Sequence, residues 1–156
     1  MIKELNKLND QEIELMKETP ALIAILVAGA DGVIDEKEMY WAEKVKIFRS
    51  SKEDSMLKEY YSEVVRGFRK TMEELIEELP INLSERNYEI TKRLKGLNKI
   101  LPKLNRKLSI EFYKSLLSYA EQVAKASGGI MGFASISPEE RKWLSLDMIK
   151  DPSEKG

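Results

Sequence analysis

Apolar residues recur at helical spacing along almost the whole chain. A clear series is Ile90, Leu94, Leu97 and Leu101, whose members lie three or four residues apart. This spacing places them on one face of an α-helix, as in an amphipathic helix that packs against a core. No segment alternates convincingly between polar and apolar residues, as a half-buried strand would. The pattern therefore predicts an all-α fold.

Residues 19–30 are apolar nearly all round, which predicts a central, buried helix. Thr19 is a favourable N-cap, Pro20 suits the first helical position, and Gly32 stands just past the end. We expect this helix to pack against residues 119–126, because both segments end in small residues that permit close approach.

Cap and turn residues mark further helices. Five further helices are predicted. One begins at residue 35, three cover residues 51–79, 84–101 (with Ser84 as the cap) and 104–127, and the last begins at residue 137. Tyr60 and Tyr61 fall in the middle of one helix, where we expect one ring in the core and the other at the surface. Together these segments predict a single domain over residues 1–150, a compact bundle of about six to seven helices, followed by a frayed tail at residues 151–156.

An internal repeat relates the two ends of the chain. VAGADG at residues 27–32 aligns with VAKASG at residues 123–128, and IDEKEMYW at residues 34–41 aligns with ISPEERKW at residues 136–143. Each copy has a helix end, a glycine turn and a capped helix start. We therefore expect two helix–turn–helix halves about a pseudo-twofold axis, with the two turns close together.

Such an arrangement could complete an oxygen-ligand metal site that one turn only half builds. Asp31, Asp35 and Glu38 would come from the first copy and Glu140 from the second. The competing interpretation is that these residues only cap helices. Asp35 with Glu38 forms a capping box, and Ser137 with Glu140 forms another.

Composition narrows the chemistry. The chain contains no Cys and no His, which excludes disulfides, thiolate or imidazole metal ligands and His-based triads. A bound metal would therefore be a hard cation such as Ca²⁺, Mg²⁺ or Mn²⁺. The net charge is −1, so no global field favours nucleic acid. Residues 1–18 carry charges throughout, so we expect no signal peptide and a cytoplasmic location.

VAGADGVIDEKE at residues 27–38 and VAKASGGIMGFASISPEE at residues 123–140 resemble the two motifs of the TerB-like family, which is associated with tellurite resistance. Ser127 replaces the acidic residue in the second motif. The resemblance implies a pseudo-symmetric helical bundle, a divalent metal chelated by Asp31, Asp35, Glu38 and Glu140, and no catalytic residues. It also implies a role in bacterial stress responses, through protein partners at the inner face of the membrane.

Residues 92–107 hold seven basic residues and no acidic one. This segment is either a surface for anionic lipids or nucleic acid, or a core-packed helix with a basic solvent face. No aromatic residue lies among the basic ones, so nucleic-acid base stacking is not expected.

The sequence thus favours a non-enzymatic TerB-like domain that binds a divalent cation and acts through protein contacts. Two alternatives remain: a metal-dependent hydrolase that uses the acidic cluster, with a carboxylate or lysine as its base, and a metal-free helical adaptor.

Overall fold

The computed structural model describes residues 3–30, 55–127 and 141–154. Within these ranges the chain forms helices and turns, which confirms the all-helical prediction there. The elements are a 3-10 turn Lys3–Lys7, α1 Asp10–Ala28, α2 Ser55–Glu78, α3 Leu83–Lys95, α4 Leu97–Ile100, a 3-10 turn Leu101–Lys103 and α5 Arg106–Ser127. The complete bundle of six to seven helices and its repeat stay predictions.

Helix α1 begins at Asp10 with Asn9 as its N-cap, so the predicted start with Thr19 as the cap is wrong. The Asn9 side chain accepts a hydrogen bond from the Glu12 N–H at 2.8 Å, and the Asn9 N–H donates to Glu12 Oε1 at 3.0 Å. This reciprocal pair is a capping box. The sequence N-x-x-E at residues 9–12 carries the signal for this capping box, whereas Pro20 is a competing start signal because proline is favoured at the first helical position.

Pro20 instead lies inside α1. A proline has no N–H, so the carbonyl of Met16, four residues earlier, loses its helical donor. The hydroxyl of Tyr60 in α2 donates to that carbonyl at 2.5 Å. The hydroxyl of Thr19 donates to the Leu15 carbonyl at 2.7 Å. The helix therefore continues through the proline with its buried carbonyls satisfied.

The second half of α1 is the centre of the fold, as predicted. Every residue from Thr19 to Ala28 is buried. The helix contacts α2, α3 and α5, so the expected α1–α5 neighbourhood is also confirmed. Burial on all sides explains why this stretch lacks a polar face.

Both tyrosines of the adjacent pair are core residues, so the prediction of one exposed ring is wrong. Tyr60 is 1% exposed and Tyr61 is 0% exposed. Because α2 packs against both α1 and α5, two neighbouring positions on it can each be covered by a different helix. Ser115 of α5 donates to the Phe112 carbonyl at 2.7 Å, so Tyr61 is the donor in its 2.6 Å hydrogen bond with the Ser115 hydroxyl.

Helices α3 and α4 follow an almost continuous helical path. Gly96 between them keeps right-handed helical dihedrals, φ −59° and ψ −24°. A Cβ at Gly96 would lie 2.9 Å from Leu15 Cδ2, so glycine lets α1 approach closely here. The predicted helix at residues 84–101 is therefore broadly correct, but its cap is Asn82, whose side chain accepts from the Glu85 N–H at 3.0 Å.

Residues 141–154 pack back onto the corner between α4 and α5. The Asn98 amide donates to the Met148 carbonyl at 2.9 Å, and its oxygen accepts from the Lys150 N–H at 2.8 Å. Arg106 donates to the Ser153 carbonyl at 3.0 Å, inside the stretch predicted to fray. Leu146 is fully buried at a positive φ of 45°, a backbone conformation that leucine rarely adopts.

Candidate functional site

The four predicted metal ligands, Asp31, Asp35, Glu38 and Glu140, lie outside the described residues. Among the residues that the structure does describe, no three acidic side chains come together in a way that could hold a metal ion.

The end of α1, directly before the predicted metal loop, holds a buried cation. Arg86 of α3 is 8% exposed and donates from Nη2 to the Gly29 carbonyl at 2.7 Å. A positive charge is favourable at a helix C-terminus, where carbonyls lack their helical donors. The same charge repels a metal ion, and the Gly29 carbonyl already has its donor. This arrangement does not fit a metal cage that uses the Gly29 oxygen.

The described halves of the two repeat copies are both helical and buried, but α1 ends at Ala28 whereas α5 continues for three residues beyond the aligned Ala124. Val27 and Ala28 are buried at the end of α1, and Val123 and Ala124 are buried towards the end of α5. The turns and the capped helix starts of the repeat fall mostly outside the described ranges, so the pseudo-twofold axis stays a prediction.

The basic segment packs its apolar side into the core and presents a basic solvent face, an arrangement that leaves open whether that face binds anionic lipids. Its apolar residues are at most 6% exposed; they are Leu94, Leu97, Ile100, Leu101 and Leu104. On the opposite side Lys92, Lys95, Lys99 and Lys103 face solvent. We call these four residues the lysine face.

Arg93 is separate from the lysine face because it turns towards carboxylates. It donates to Glu78 of α2 at 2.7 Å and to Glu89 of its own helix at 3.0 Å. Partial burial lowers the pKa of Arg93, but the hydrogen bonds to Glu78 and Glu89 outweigh burial and raise it above its usual value. Arg93 therefore holds α2 and α3 together and stays charged.

A groove of about 340 Å³ lies beside the C-terminal segment. Its floor is apolar, formed by residues such as Leu101 and Leu104, and its rim carries Arg106 and Lys150 together with Asp151 and Glu154. Because the rim carries both positive and negative side chains, it favours neither an anionic nor a cationic ligand. The hydrogen bonds from Asn98 and Arg106 show that the groove is the seam along which the segment packs.

The corner between α2 and α3 exposes two large apolar side chains. Ile81 is 95% exposed and Tyr88 is 72% exposed. A shallow depression beside Tyr88 is lined by Pro80, Ser84, Glu85, Tyr88 and Glu89. We call Pro80, Ile81 and Tyr88 the corner patch. Sequence reasoning missed it, although Ile81 next to Pro80 in a turn was a visible signal of an apolar residue outside the helical pattern.

No family model, curated protein or solved structure matches the chain. Within the described ranges, none of the helices has both the length and the apolar content needed to cross a bilayer.

Proposed function

We propose that this chain is a non-catalytic helical domain that acts in the cytoplasm through contacts with a protein partner. The corner patch carries the proposal. A folded protein gains nothing from exposing Ile81, whereas an apolar side chain on a rigid turn can fill a pocket on a partner. Tyrosine is also enriched among the residues that dominate binding energy, because its ring is large and its hydroxyl tolerates water.

The surroundings of the corner patch suit a binding surface. Helix α3 is anchored by Ile90 and Leu94, both fully buried, so Tyr88 stands on a rigid support. Pro80 fixes the backbone before Ile81. A surface that is already rigid loses little conformational entropy when it binds.

Site-specific photo-crosslinking tests this proposal. A photoreactive residue at position 81 or 88 should give a discrete protein adduct in cells of the source organism. Lys70 and Lys114 are exposed positions away from the patch, and the same residue there serves as the control. The proposal is wrong if positions 81 and 88 give no adduct, or if all four positions give the same one.

The resemblance to the TerB-like family supports two further parts of the proposal, a role in a bacterial stress response such as tellurite resistance and a divalent-cation site at Asp31, Asp35, Glu38 and Glu140. Asp31 is the informative residue because the sequence pattern predicts no capping role for it, whereas Asp35 and Glu38 match a capping box. If a site exists, Ca²⁺ or Mn²⁺ should raise the melting temperature, and Asp31→Asn should lose most of that rise. A parent protein that shows no shift at millimolar metal has no such site.

A further inference from the structure

The lysine face is a straight row of positive charges on a rigid support. Lys92, Lys95, Lys99 and Lys103 are separated by three, four and four residues, so they share one side of a helix. The backbone keeps this register because Gly96, Ile100 and Leu101 all have right-handed helical dihedrals. At 1.5 Å per residue the row is roughly 16 Å long.

Most of this charge is not neutralised locally. Among the described residues, Lys92, Lys95 and Lys99 have no ion pair, and Lys103 pairs with Glu12 at 2.6 Å while its side chain stays 48% exposed. Arg106 and Lys107 are exposed directly beyond the row, and no acidic residue occurs between positions 92 and 107. The face therefore presents a concentrated positive potential although the chain as a whole has a net charge of −1.

We propose that the lysine face adsorbs to an anionic phospholipid bilayer. Clusters of four or more basic side chains on an amphipathic helix are attracted to acidic lipid headgroups. Here the apolar side of the helix is committed to the protein core, so the contact is electrostatic adsorption without insertion. A planar surface also suits the lysine face, because it can approach all four exposed lysines at once.

Three features favour a bilayer over nucleic acid. The row consists of lysines, which act as point charges, and lacks the arginine forks that bind phosphates and bases in a fixed geometry. It also has no aromatic residue within it on which a base could stack. In addition, the helix is embedded along its apolar side, so it cannot enter a DNA major groove as a projecting recognition helix does.

Vesicle sedimentation with the full chain tests the inference. The probes are vesicles of phosphatidylcholine alone and of phosphatidylcholine with 30% phosphatidylglycerol, at about 0.1 M and 0.5 M salt. We expect binding only to the anionic vesicles, lost at the higher salt. The triple variant Lys92→Gln, Lys95→Gln, Lys99→Gln should weaken it on the order of 100-fold, because each lysine near an anionic surface contributes about a factor of 5. This variant leaves the Lys103–Glu12 pair in place, and circular dichroism checks its fold.

The matched control is Lys58→Gln, Lys70→Gln, Lys114→Gln, which removes the same charge from exposed positions elsewhere. It should change binding less than threefold. A loss below tenfold in the first variant, or equal losses in both, overturns the inference. So does tighter binding to an oligonucleotide of the same charge, or to an acidic peptide, than to the anionic vesicles. Photo-crosslinking from position 81 should persist in the triple lysine variant. Loss of vesicle binding can therefore be distinguished from loss of the proposed protein contact.

Discussion

The hydroxyl of Tyr60 lies 2.5 Å from the carbonyl oxygen of Met16, the oxygen that Pro20 leaves without a helical donor. Burial raises the pKa of Tyr60 well above its usual range, so the hydroxyl keeps the proton it donates. The ring is held by edge-to-face contacts with Tyr61 at 4.8 Å and Phe112 at 5.3 Å between centroids. A side chain of α2 thus repairs the one backbone bond that the proline removes from α1.

We predict that Tyr60→Phe destabilises the protein by about 1–3 kcal/mol, because it leaves the buried Met16 carbonyl without a donor. Pro20→Ala restores an N–H to α1, so the double variant should recover most of that loss. Urea unfolding of the two single variants and the double variant measures the coupling. Additive effects would mean that Tyr60 and Pro20 do not depend on the same carbonyl.

Arg86 should be among the more sensitive polar positions of the chain. We expect Arg86→Met, which keeps the length of the side chain, to cost about 1.5–3 kcal/mol because the buried Gly29 carbonyl loses a charged donor. Arg66→Met is the control, since the Arg66 side chain is 75% exposed and its ion pair within the described part of the chain is with Glu63 on the same helix. It should change the free energy of unfolding by less than about 0.5 kcal/mol. Equal effects of the two substitutions would refute a special role for Arg86.

The parts of the fold that local patterns determine could be predicted from the sequence. The buried series Ile90, Leu94, Leu97 and Leu101 follows from helical spacing alone, and the end of α2 before Pro80 follows from the backbone limits of proline. The start of α1 could not be fixed in this way. Whether Pro20 begins a helix or lies inside it depends on a hydrogen bond that the Tyr60 hydroxyl donates to the Met16 carbonyl. Tyr60 is 44 residues from Met16 in sequence.

The candidate site was less predictable for the same reason. On sequence grounds Arg86 is one more charged residue near a helix start, and only the packing of α3 against the end of α1 makes it a buried donor. The corner patch also depends on tertiary structure, because Tyr88 would be a core residue if another helix covered that side of α3. The lysines of residues 92–107 were visible in the sequence, but their alignment on one side required the almost continuous helical path through Gly96.

The contact between Glu12 and Lys103 should make stability depend on pH. Lys103 Nζ lies 2.6 Å from Glu12 Oε2, and this hydrogen bond, together with the Asn9 N–H, lowers the pKa of Glu12. A carboxyl whose pKa is lower in the folded state than in the unfolded state stabilises the fold at any pH above its unfolded-state pKa, which is about 4.3. That stabilisation is lost as the pH falls through the folded-state pKa.

We therefore expect Glu12→Gln to lower the melting temperature at pH 7, with a difference from the parent that shrinks as the pH falls below about 4. Thermal unfolding from pH 3 to pH 7 measures this. The control is Glu85→Gln, because Glu85 occupies the same N3 position after Asn82 but has no ion pair among the described residues. A difference for Glu12→Gln that is constant across this pH range contradicts the assigned contact.

The last prediction concerns how the C-terminal segment is held. Asn98 donates to the Met148 carbonyl and accepts from the Lys150 N–H, so one side chain fixes two backbone groups of that segment. Asn98→Ala removes both hydrogen bonds, whereas Asn98→Asp keeps an acceptor for Lys150 but places a carboxylate oxygen near the Met148 carbonyl. We expect Asn98→Ala to abolish hydrogen-exchange protection of the Lys150 amide and Asn98→Asp to retain part of it. Buried Ile149 should limit the global cost of Asn98→Ala to about 1–2 kcal/mol, since the apolar contacts of the segment remain. Unchanged protection of the Lys150 amide in Asn98→Ala would show that burial of Leu146 and Ile149 orders the segment. The hydrogen bonds of Asn98 would then contribute nothing to holding it.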